Sequence, residues 1–140
     1  MKFLKIKSKN NLRVLSNFID RLEKEKETFK YFDKREIEIV NDHEFTYLLF
    51  GIKDEIVAYG HIEKEDNLYW LGIVVPKEHQ SKGYGVLMMT KLIEESRSLN
   101  IPKIILSVYK SNKKAINLYD KMGFSIFKED KTNLFFEKLI

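Results

Sequence analysis

The chain has 140 residues, of which 44% are hydrophobic and 33% charged, with a net charge of +4. This length fits one domain over residues 1–140, and the composition excludes intrinsic disorder, which requires low hydrophobicity and high net charge. Because the sequence contains no cysteine, disulfides, cysteine-ligated zinc and acyl transfer through a protein thioester are also excluded.

Charge and hydropathy patterning predict a cytoplasmic protein that binds neither membrane nor nucleic acid. Residues 1–7 alternate apolar and basic side chains, unlike the unbroken apolar stretch of a signal peptide. No segment approaches the roughly 18 apolar residues of a membrane span. Lysines and glutamates are interspersed instead of forming one basic stripe. The pI of about 9.1 still favours an anionic ligand.

The first half of the chain predicts a strand, helical segments and two further strands. Residues 3–7 form the first strand, and a helix capped by Asn10 or Asn11 extends to Leu22 at helical spacing. Residues 23–36 predict the end of that helix, a loop and a short second helix. Strands follow at 44–52 and 56–65. On the second of these, period-two alternation predicts an apolar face and a more polar face. The more polar face carries Val57, Tyr59, His61, Glu63 and Glu65.

The second half predicts alternating strands and helices. Residues 68–75 form an apolar strand that Pro76 ends, and a helix follows at 83–99. A strand at 103–109 precedes a helix that Ser111 or Asn112 caps and that ends at Met122 and Gly123. Strands at 124–128 and 133–139 close the chain. This order predicts an α/β fold, with a mixed sheet of six or seven strands and helices on both faces.

The segment from Pro76 to Val86 carries the main functional signal. It reads Pro-Lys-Glu-His-Gln-Ser-Lys-Gly-Tyr-Gly-Val and lies between a strand and a helix. A helix start offers unpaired N–H groups and partial positive charge, and two glycines let a phosphate approach the backbone. Other phosphate loops fit less well, because the third glycine of the dinucleotide motif is Met88 and the only lysine precedes Gly83. On this segment alone, a simple tight turn remains the alternative.

Two motifs resemble those of the GCN5-related N-acetyltransferase (GNAT) superfamily. Gln-x-x-Gly-x-Gly, which begins at Gln80 after Val-x-Pro, is similar to the family's acetyl-coenzyme A signature. Residues 112–124 resemble the family's Asn-x-x-Ala-x-x-Leu-Tyr-x-x-x-Gly-Phe segment. The motifs follow in the family's order, separated by one helix and one strand. The resemblance implies a mostly antiparallel sheet with one splayed parallel pair, and acetyl-CoA as cosubstrate without a metal.

The resemblance also implies a set of cofactor-binding residues. The pantetheine arm would lie along strand 69–75, where Gly72 would permit a bulge, and the backbone amides from Ser81 to Val86 would hold the pyrophosphate. Asn112 would contact the arm. The implied cofactor-binding residues are Ile73, Val75, Gln80, Ser81, Lys82, Gly83, Tyr84, Gly85, Val86 and Asn112.

For catalysis, the resemblance implies that Tyr119 protonates the departing CoA thiolate, while a second group must remove a proton from the amine. Histone-type members carry a glutamate at the position of Tyr69, and ribosomal-protein N-terminal acetylases carry one at Ser107. Neither glutamate is present. Glu65 and His61 are the first candidates for the base, and Glu63, His43 and a water chain are the others.

The acceptor is expected to be a primary amine of a small molecule, such as an amino sugar or a polyamine-like compound. The aromatic residues of segment 28–32 either wall the acceptor pocket or pack the helix on the sheet. With His43, they resemble bacterial acetyltransferases of small amines. A protein or peptide N-acetyltransferase and a catalytically weak CoA-binding module are the alternatives. The protein is expected to be a monomer or a homodimer.

Overall fold

The computed structural model describes residues 1–140, which form seven strands and three α-helices. The strands are β1 (Lys2–Lys5), β2 (Phe45–Phe50), β3 (Ile56–Glu65), β4 (Leu68–Val74), β5 (Lys103–Tyr109), β6 (Ser125–Glu129) and β7 (Asn133–Leu139). The helices are α1 (Lys9–Arg21), α2 (Tyr84–Ser98) and α3 (Lys113–Lys121). Short 3-10 helices cover Lys24–Glu27, Ile37–Asp42 and Lys77–His79.

The seven strands form one mixed sheet in the order β1-β2-β3-β4-β5-β7-β6. Every neighbouring pair is antiparallel except β4 and β5. The parallel pair is joined at a single register position, where Trp70 lies opposite Ile105. Beyond that position the two strands separate toward their carboxyl ends. The predicted mixed sheet with one splayed parallel pair is confirmed.

Helices cover both faces of the sheet, as predicted. On one face, α1 packs Leu15 and Phe18 against Leu48, Tyr59 and Val74. On the other face, α2 and α3 share a second core with the sheet, which includes Met88, Leu92, Ile62, Tyr119 and Phe136. None of the helices has the length and apolar character needed to cross a bilayer.

The helical region before β2 differs from the prediction in two places. Ser8 caps α1, since its hydroxyl accepts a hydrogen bond from Asn11 N at 3.2 Å. Asn11 instead accepts from Lys7 N through its side chain at 3.0 Å. Residues 23–43 contain two 3-10 helices in place of a second α-helix. The dense charge of residues 23–36 leaves too few apolar positions for an amphipathic helix to pack.

The prediction that one face of β3 is solvated and polar is wrong for its first half. Val57, Tyr59 and His61 are buried, with exposures of 0%, 0% and 2%. Segment 28–32 and α1 cover Tyr59, because Phe29 and Phe32 both pack edge-on against its ring. Val57 lies beside a register shift between β2 and β3 and packs into the core of α2 and α3 instead. Only Glu63 and Glu65 lie beyond this cover.

Gly72 does not form the predicted bulge. The register between β3 and β4 is regular over its whole length, with His61 opposite Gly72. A Cβ atom at residue 72 would lie 2.3 Å from Cε1 of His61. Glycine is therefore required here because the His61 ring lies directly over the backbone of β4.

Candidate active site

A cavity of about 970 Å³ opens where β4 and β5 separate. One end is bounded by the turn before α2 and by α3, and the other by segment 28–35 and the end of β3. Three residues of its walls are Val75, which directly follows β4, Ser107 of β5 and Tyr119 of α3. A splayed strand pair exposes backbone groups that a sheet would otherwise pair, so an extended ligand can lie between the strands.

The turn before α2 offers main-chain N–H groups that could hold an anion. No main-chain N–H from Ser81 to Val86 donates to another protein group, and α2 has no side-chain cap at its start. Gly83 has a φ of 89°, and a Cβ added there would meet nothing within 4 Å. Six unpaired amides and the positive end of a 15-residue helix thus converge on open space, which fits a diphosphate.

Gln80 connects this turn to its neighbours, and Asn112 lies at the start of α3 beside the same cavity. Gln80 Nε2 donates to the carbonyl oxygen of Val75 at 3.0 Å, and its Oε1 accepts from Lys114 Nζ at 3.3 Å. Asn112 caps α3, with Oδ1 accepting from Ala115 N at 3.3 Å. Both side chains also line the cavity. The two Gln80 bonds tie the turn to the end of β4 and to α3, and the side-chain NH₂ group of Asn112 is free for a ligand.

Tyr119 presents a protonated phenol to the cavity. Its side chain is 6% exposed and packs against Phe124 and Phe136. Its hydroxyl has no hydrogen-bond partner in the protein. Among side-chain polar atoms that are fully enclosed, only Oε2 of Glu55 lacks a partner, so the Tyr119 hydroxyl is not fully enclosed. The Tyr119 hydroxyl is therefore reached from the cavity. Burial raises the pKa of Tyr119, so the group retains its proton at neutral pH.

A hydrogen-bonded chain lies at the opposite end of the cavity. Tyr31 Oη donates to Glu63 Oε2 at 2.8 Å and lies 2.6 Å from His43 Nε2. His43 Nδ1 lies 2.7 Å from the Thr46 hydroxyl. Because Tyr31 has one proton and gives it to the carboxylate, Nε2 of His43 donates and Nδ1 accepts from Thr46. The chain thus runs toward Glu63, whose carboxylate it stabilises.

Both histidines of this region are held neutral. Burial and the charge of Arg35 lower the pKa of His43 to about 4. Burial and the neighbouring His43 place the pKa of His61 well below its usual value. The His61 ring is stacked on His43 with centroids 4.2 Å apart, and its Nδ1 lies 2.6 Å from the Tyr59 hydroxyl.

His43, His61 and Glu63 are the residues that could hold a metal, since their ligand atoms lie within 4.8 Å of one another. However, both nitrogens of His43 are already hydrogen-bonded. The two rings are tilted by only 29°, which points their lone pairs side by side instead of toward one centre. This arrangement fits a hydrogen-bond network better than a metal centre, so no step of the chemistry is derived through a metal.

Segment 28–32 divides between the two roles predicted for it. Phe29 and Phe32 pack against the core, and Phe29 and Tyr31 both line the cavity. Arg35 was not predicted to take part in the site. Its guanidinium lies 4.2 Å from the Tyr31 ring centroid, and Nη1 donates to the Tyr31 carbonyl at 2.8 Å. Only the folding of this irregular segment brings Arg35 to the cavity, so no sequence motif could identify it.

The structure brings the predicted site residues together with one exception. The predicted cofactor residues other than Lys82 line the cavity, as do Tyr119, Glu65 and His61. Lys82 is exposed outside the cavity wall. Glu25 also lines the cavity and was missed. Its Oε2 accepts from Lys77 N at 2.6 Å across 52 residues, a contact that local sequence does not encode.

Comparison with known proteins identifies the class to which this fold and site belong. The sequence model of the family described as "Acetyltransferase (GNAT) family" matches residues 12–124. The chain therefore belongs to the GNAT family of acetyltransferases.

Sequences similar to this chain include two bacterial N-acetyltransferases. The chain is 33% identical over 85 residues to the uncharacterized N-acetyltransferase YobR of Bacillus subtilis, an alignment that covers 60% of this chain and 34% of that protein. It is 27% identical over 127 residues to the spermidine N(1)-acetyltransferase of Vibrio cholerae, covering 82% and 68%. The matched region thus spans about a third of the Bacillus protein.

Solved structures share the fold over nearly the whole chain. A GNAT-family acetyltransferase from Streptococcus pneumoniae superposes with a TM-score of 0.79 at 23% identity, covering 99% of both chains. The spermidine N-acetyltransferase of Vibrio cholerae, in complex with CoA and spermine, gives a TM-score of 0.76 at 17% identity, covering 98% and 95%. At these identities, the likeness concerns the fold.

Proposed function

We propose that this protein transfers the acetyl group of acetyl-CoA to a primary amine of a small molecule, by direct attack within a ternary complex. The observation that carries this proposal is the single cavity that joins an anion-binding turn at one end to paired carboxylates at the other. The first end suits the diphosphate of CoA, and the second suits an ammonium group.

The cofactor end fits acetyl-CoA through its backbone. The amides from Ser81 to Val86 would hold the pyrophosphate, and the unpaired edges of β4 and β5 would accommodate the pantetheine arm, with Ile73 and Val75 on one side. When bound, acetyl-CoA supplies an activated thioester. The protein's contribution is to hold both substrates in line and to manage two protons.

For the departing thiolate, Tyr119 is proposed as the proton donor. Its hydroxyl is unpaired within the protein, faces the cavity and keeps its proton at neutral pH. For the amine, the predicted proton acceptors Glu65 and His61 both line the acceptor end. Glu63 lies beside them as the end point of the hydrogen-bonded chain from Tyr31.

The acceptor end favours a small cationic amine. Glu63 and Glu65 supply negative charge, while Trp70 and Tyr31 supply aromatic walls on which an apolar chain or a sugar ring can lie. Similarity to a spermidine N(1)-acetyltransferase supports a polyamine-like acceptor. Arg35 lines the same end, so an amine that also carries an anionic group would fit as well.

The test is release of free thiol from acetyl-CoA in the presence of spermidine, an amino sugar or a lysine-containing peptide. We expect turnover with the small amines, with the acetylated product identified by mass spectrometry. Glu63→Gln and Glu65→Gln should raise KM for the amine, while Glu78→Gln, on the exposed side of the turn, should not. A preference for the peptide would indicate a protein acetyltransferase. Tight CoA binding without any turnover would indicate a CoA-binding module.

A further inference from the structure

Tyr59 and His61 form an enclosed pair next to the point where β4 and β5 separate. Tyr59 is 0% exposed and His61 is 2% exposed. Tyr59 Oη lies 2.6 Å from His61 Nδ1, and the hydroxyl has no other hydrogen-bond partner in the protein. The proton positions of this pair are therefore set by these two groups alone.

Only one tautomer of His61 satisfies the pair. If Nδ1 carried the ring proton and donated to Tyr59, the phenol proton would be buried without an acceptor, at a cost of about 1–3 kcal/mol. If Tyr59 donates instead, Nδ1 accepts and the ring proton lies on Nε2. Because burial also keeps His61 neutral, its resting form is the Nε2–H tautomer.

The Nε2 atom of His61 opens to the cavity at the start of the splay. It has no partner in the protein and is not among the fully enclosed atoms. It lies over Gly72, where an added Cβ would come within 2.7 Å of it. Gly72 is two residues beyond Trp70, the last residue of β4 that pairs with β5. An acyl group held between the strands here would face Nε2.

We propose that Nε2–H of His61 donates a hydrogen bond to the carbonyl oxygen of the bound thioester, and that Tyr59 is a positioning residue that fixes this tautomer. The proposal rests on the proposed function, since it requires an acyl-CoA in the cavity. It assigns His61 as a hydrogen-bond donor in place of its predicted role as a base.

The proton and electron balance is consistent with this role. The amine nitrogen bonds to the carbonyl carbon, and the carbonyl electron pair moves to oxygen, where the bond from Nε2–H strengthens. A carboxylate, Glu63 or Glu65, accepts the proton that the amine loses. The electron pair on oxygen then re-forms the carbonyl as the carbon–sulfur bond breaks and its electron pair leaves with sulfur. The thiolate takes the proton of Tyr119, and the proton held by the carboxylate is released to solvent, from which Tyr119 is reprotonated. His61 keeps its proton throughout.

The tautomer can be measured directly by nitrogen-15 NMR of the histidine ring in the full-length protein, with His61 assigned by the signal that His61→Gln removes. We expect Nδ1 to be unprotonated and Nε2 to be protonated. Tyr59→Phe should move the nitrogen-15 signal of the unprotonated Nδ1 downfield, because this nitrogen then accepts no hydrogen bond. An Nδ1–H form in the unaltered protein would overturn the assignment.

Contact with the acyl group can be measured without turnover. A stable methyl-ketone analogue of acetyl-CoA should move the His61 Nε2–H signal downfield relative to CoA alone, because only the analogue offers the carbonyl oxygen. Equal signals with both ligands would overturn the proposed contact. Because this readout requires no acceptor amine, it separates a wrong role for His61 from a wrong proposed function.

Kinetics provide a third comparison. His61→Leu should lower kcat on the order of 10²-fold, the usual effect of losing one oxyanion donor. His61→Gln offers an amide donor that cannot act as a base, and should therefore retain kcat within about tenfold of the unaltered protein. If both variants fold, as judged by circular dichroism and CoA binding, and lose activity equally, His61 is the base. No loss in either variant would also contradict the proposal.

Discussion

At Tyr119, burial raises the pKa of the phenol, so the proposed proton donor for the thiolate is protonated at neutral pH. Two aromatic rings, those of Phe124 and Phe136, hold the side chain in place, while its hydroxyl opens to the cavity. The residue thus combines a fixed position with a free donor, as a general acid requires.

Tyr119→Phe is expected to lower kcat on the order of 10²-fold, because the thiolate then leaves without a proton donor. The dissociation constant for CoA should change little, since the ring remains. Stopped-flow thiol release and calorimetric CoA binding measure the two quantities. Tyr69→Phe is the control, because Tyr69 packs on the core outside the cavity. An unchanged kcat in Tyr119→Phe would contradict the role of proton donor.

His43 links the active-site region to the pH dependence of stability. Its pKa falls from 6.5 to about 4 on folding, so the unfolded chain binds more protons between these values. The free energy of unfolding is therefore highest above pH 6.5, and it decreases as the pH falls toward 4. The difference corresponds to at most about 3 kcal/mol.

His43→Gln should therefore flatten the fall in the free energy of unfolding between pH 6.5 and 4, although His61 still contributes. Urea denaturation at a series of pH values measures this slope. His79→Gln, in the turn before α2, should retain the original slope. If His43→Gln leaves the slope unchanged, the buried neutral state assigned to His43 is incorrect.

At the scale of elements, the start of α2 forms the proposed cofactor end of the cavity. The helix begins at a glycine in the left-handed region with no capping side chain, so its first amides remain available to a ligand. A capping serine or aspartate would have satisfied one of them. The absence of a cap thus leaves the helix start free to bind an anion.

The free main-chain amides from Ser81 to Val86 form the proposed diphosphate cradle at this helix start. Gly83→Ala and Gly123→Ala test this cradle as a matched pair. Both glycines have positive φ, 89° and 87°, so either substitution costs about 1–2 kcal/mol of stability. Only the Cβ at residue 83 would enter the cradle, whereas the Cβ at residue 123 would meet the mobile end of Lys138 at 2.9 Å. We expect calorimetric CoA affinity to fall at least tenfold in Gly83→Ala alone. Equal affinities in both variants would count against the cradle.

For the whole molecule, the cavity connects elements that otherwise make little direct contact across the splay. A ligand that contacts β4, α2 and α3 together binds only the folded state. CoA at 100 times its Kd should therefore stabilise the protein by about 2.7 kcal/mol, or roughly 5–10 °C in Tm. Differential scanning fluorimetry measures this shift. A Tm that does not change at saturating CoA would exclude binding to the folded protein alone.

The regular elements were largely predictable, because their local signals agree with their tertiary setting. The period-two pattern of residues 56–65 matches β3, and Asn112 caps α3 as its position predicts. The failures arose where a partner distant in sequence decides. Ser8, and not the predicted Asn10 or Asn11, caps α1. Segment 28–32 buries Tyr59 on a face of β3 that the sequence pattern predicted to be exposed to solvent.

The two motifs, through their residues and order, by themselves determined the family, the fold class and the residues expected at the cofactor end. These properties are local, since a glycine-rich turn before a helix forms wherever that sequence occurs. Tertiary structure alone decided the chemistry of the other end. The Tyr31–Glu63 bond, the approach of Arg35 and the Tyr59–His61 pair depend on which side chains the packed sheet brings together, and hydrogen bonding inside that packing sets where each proton lies.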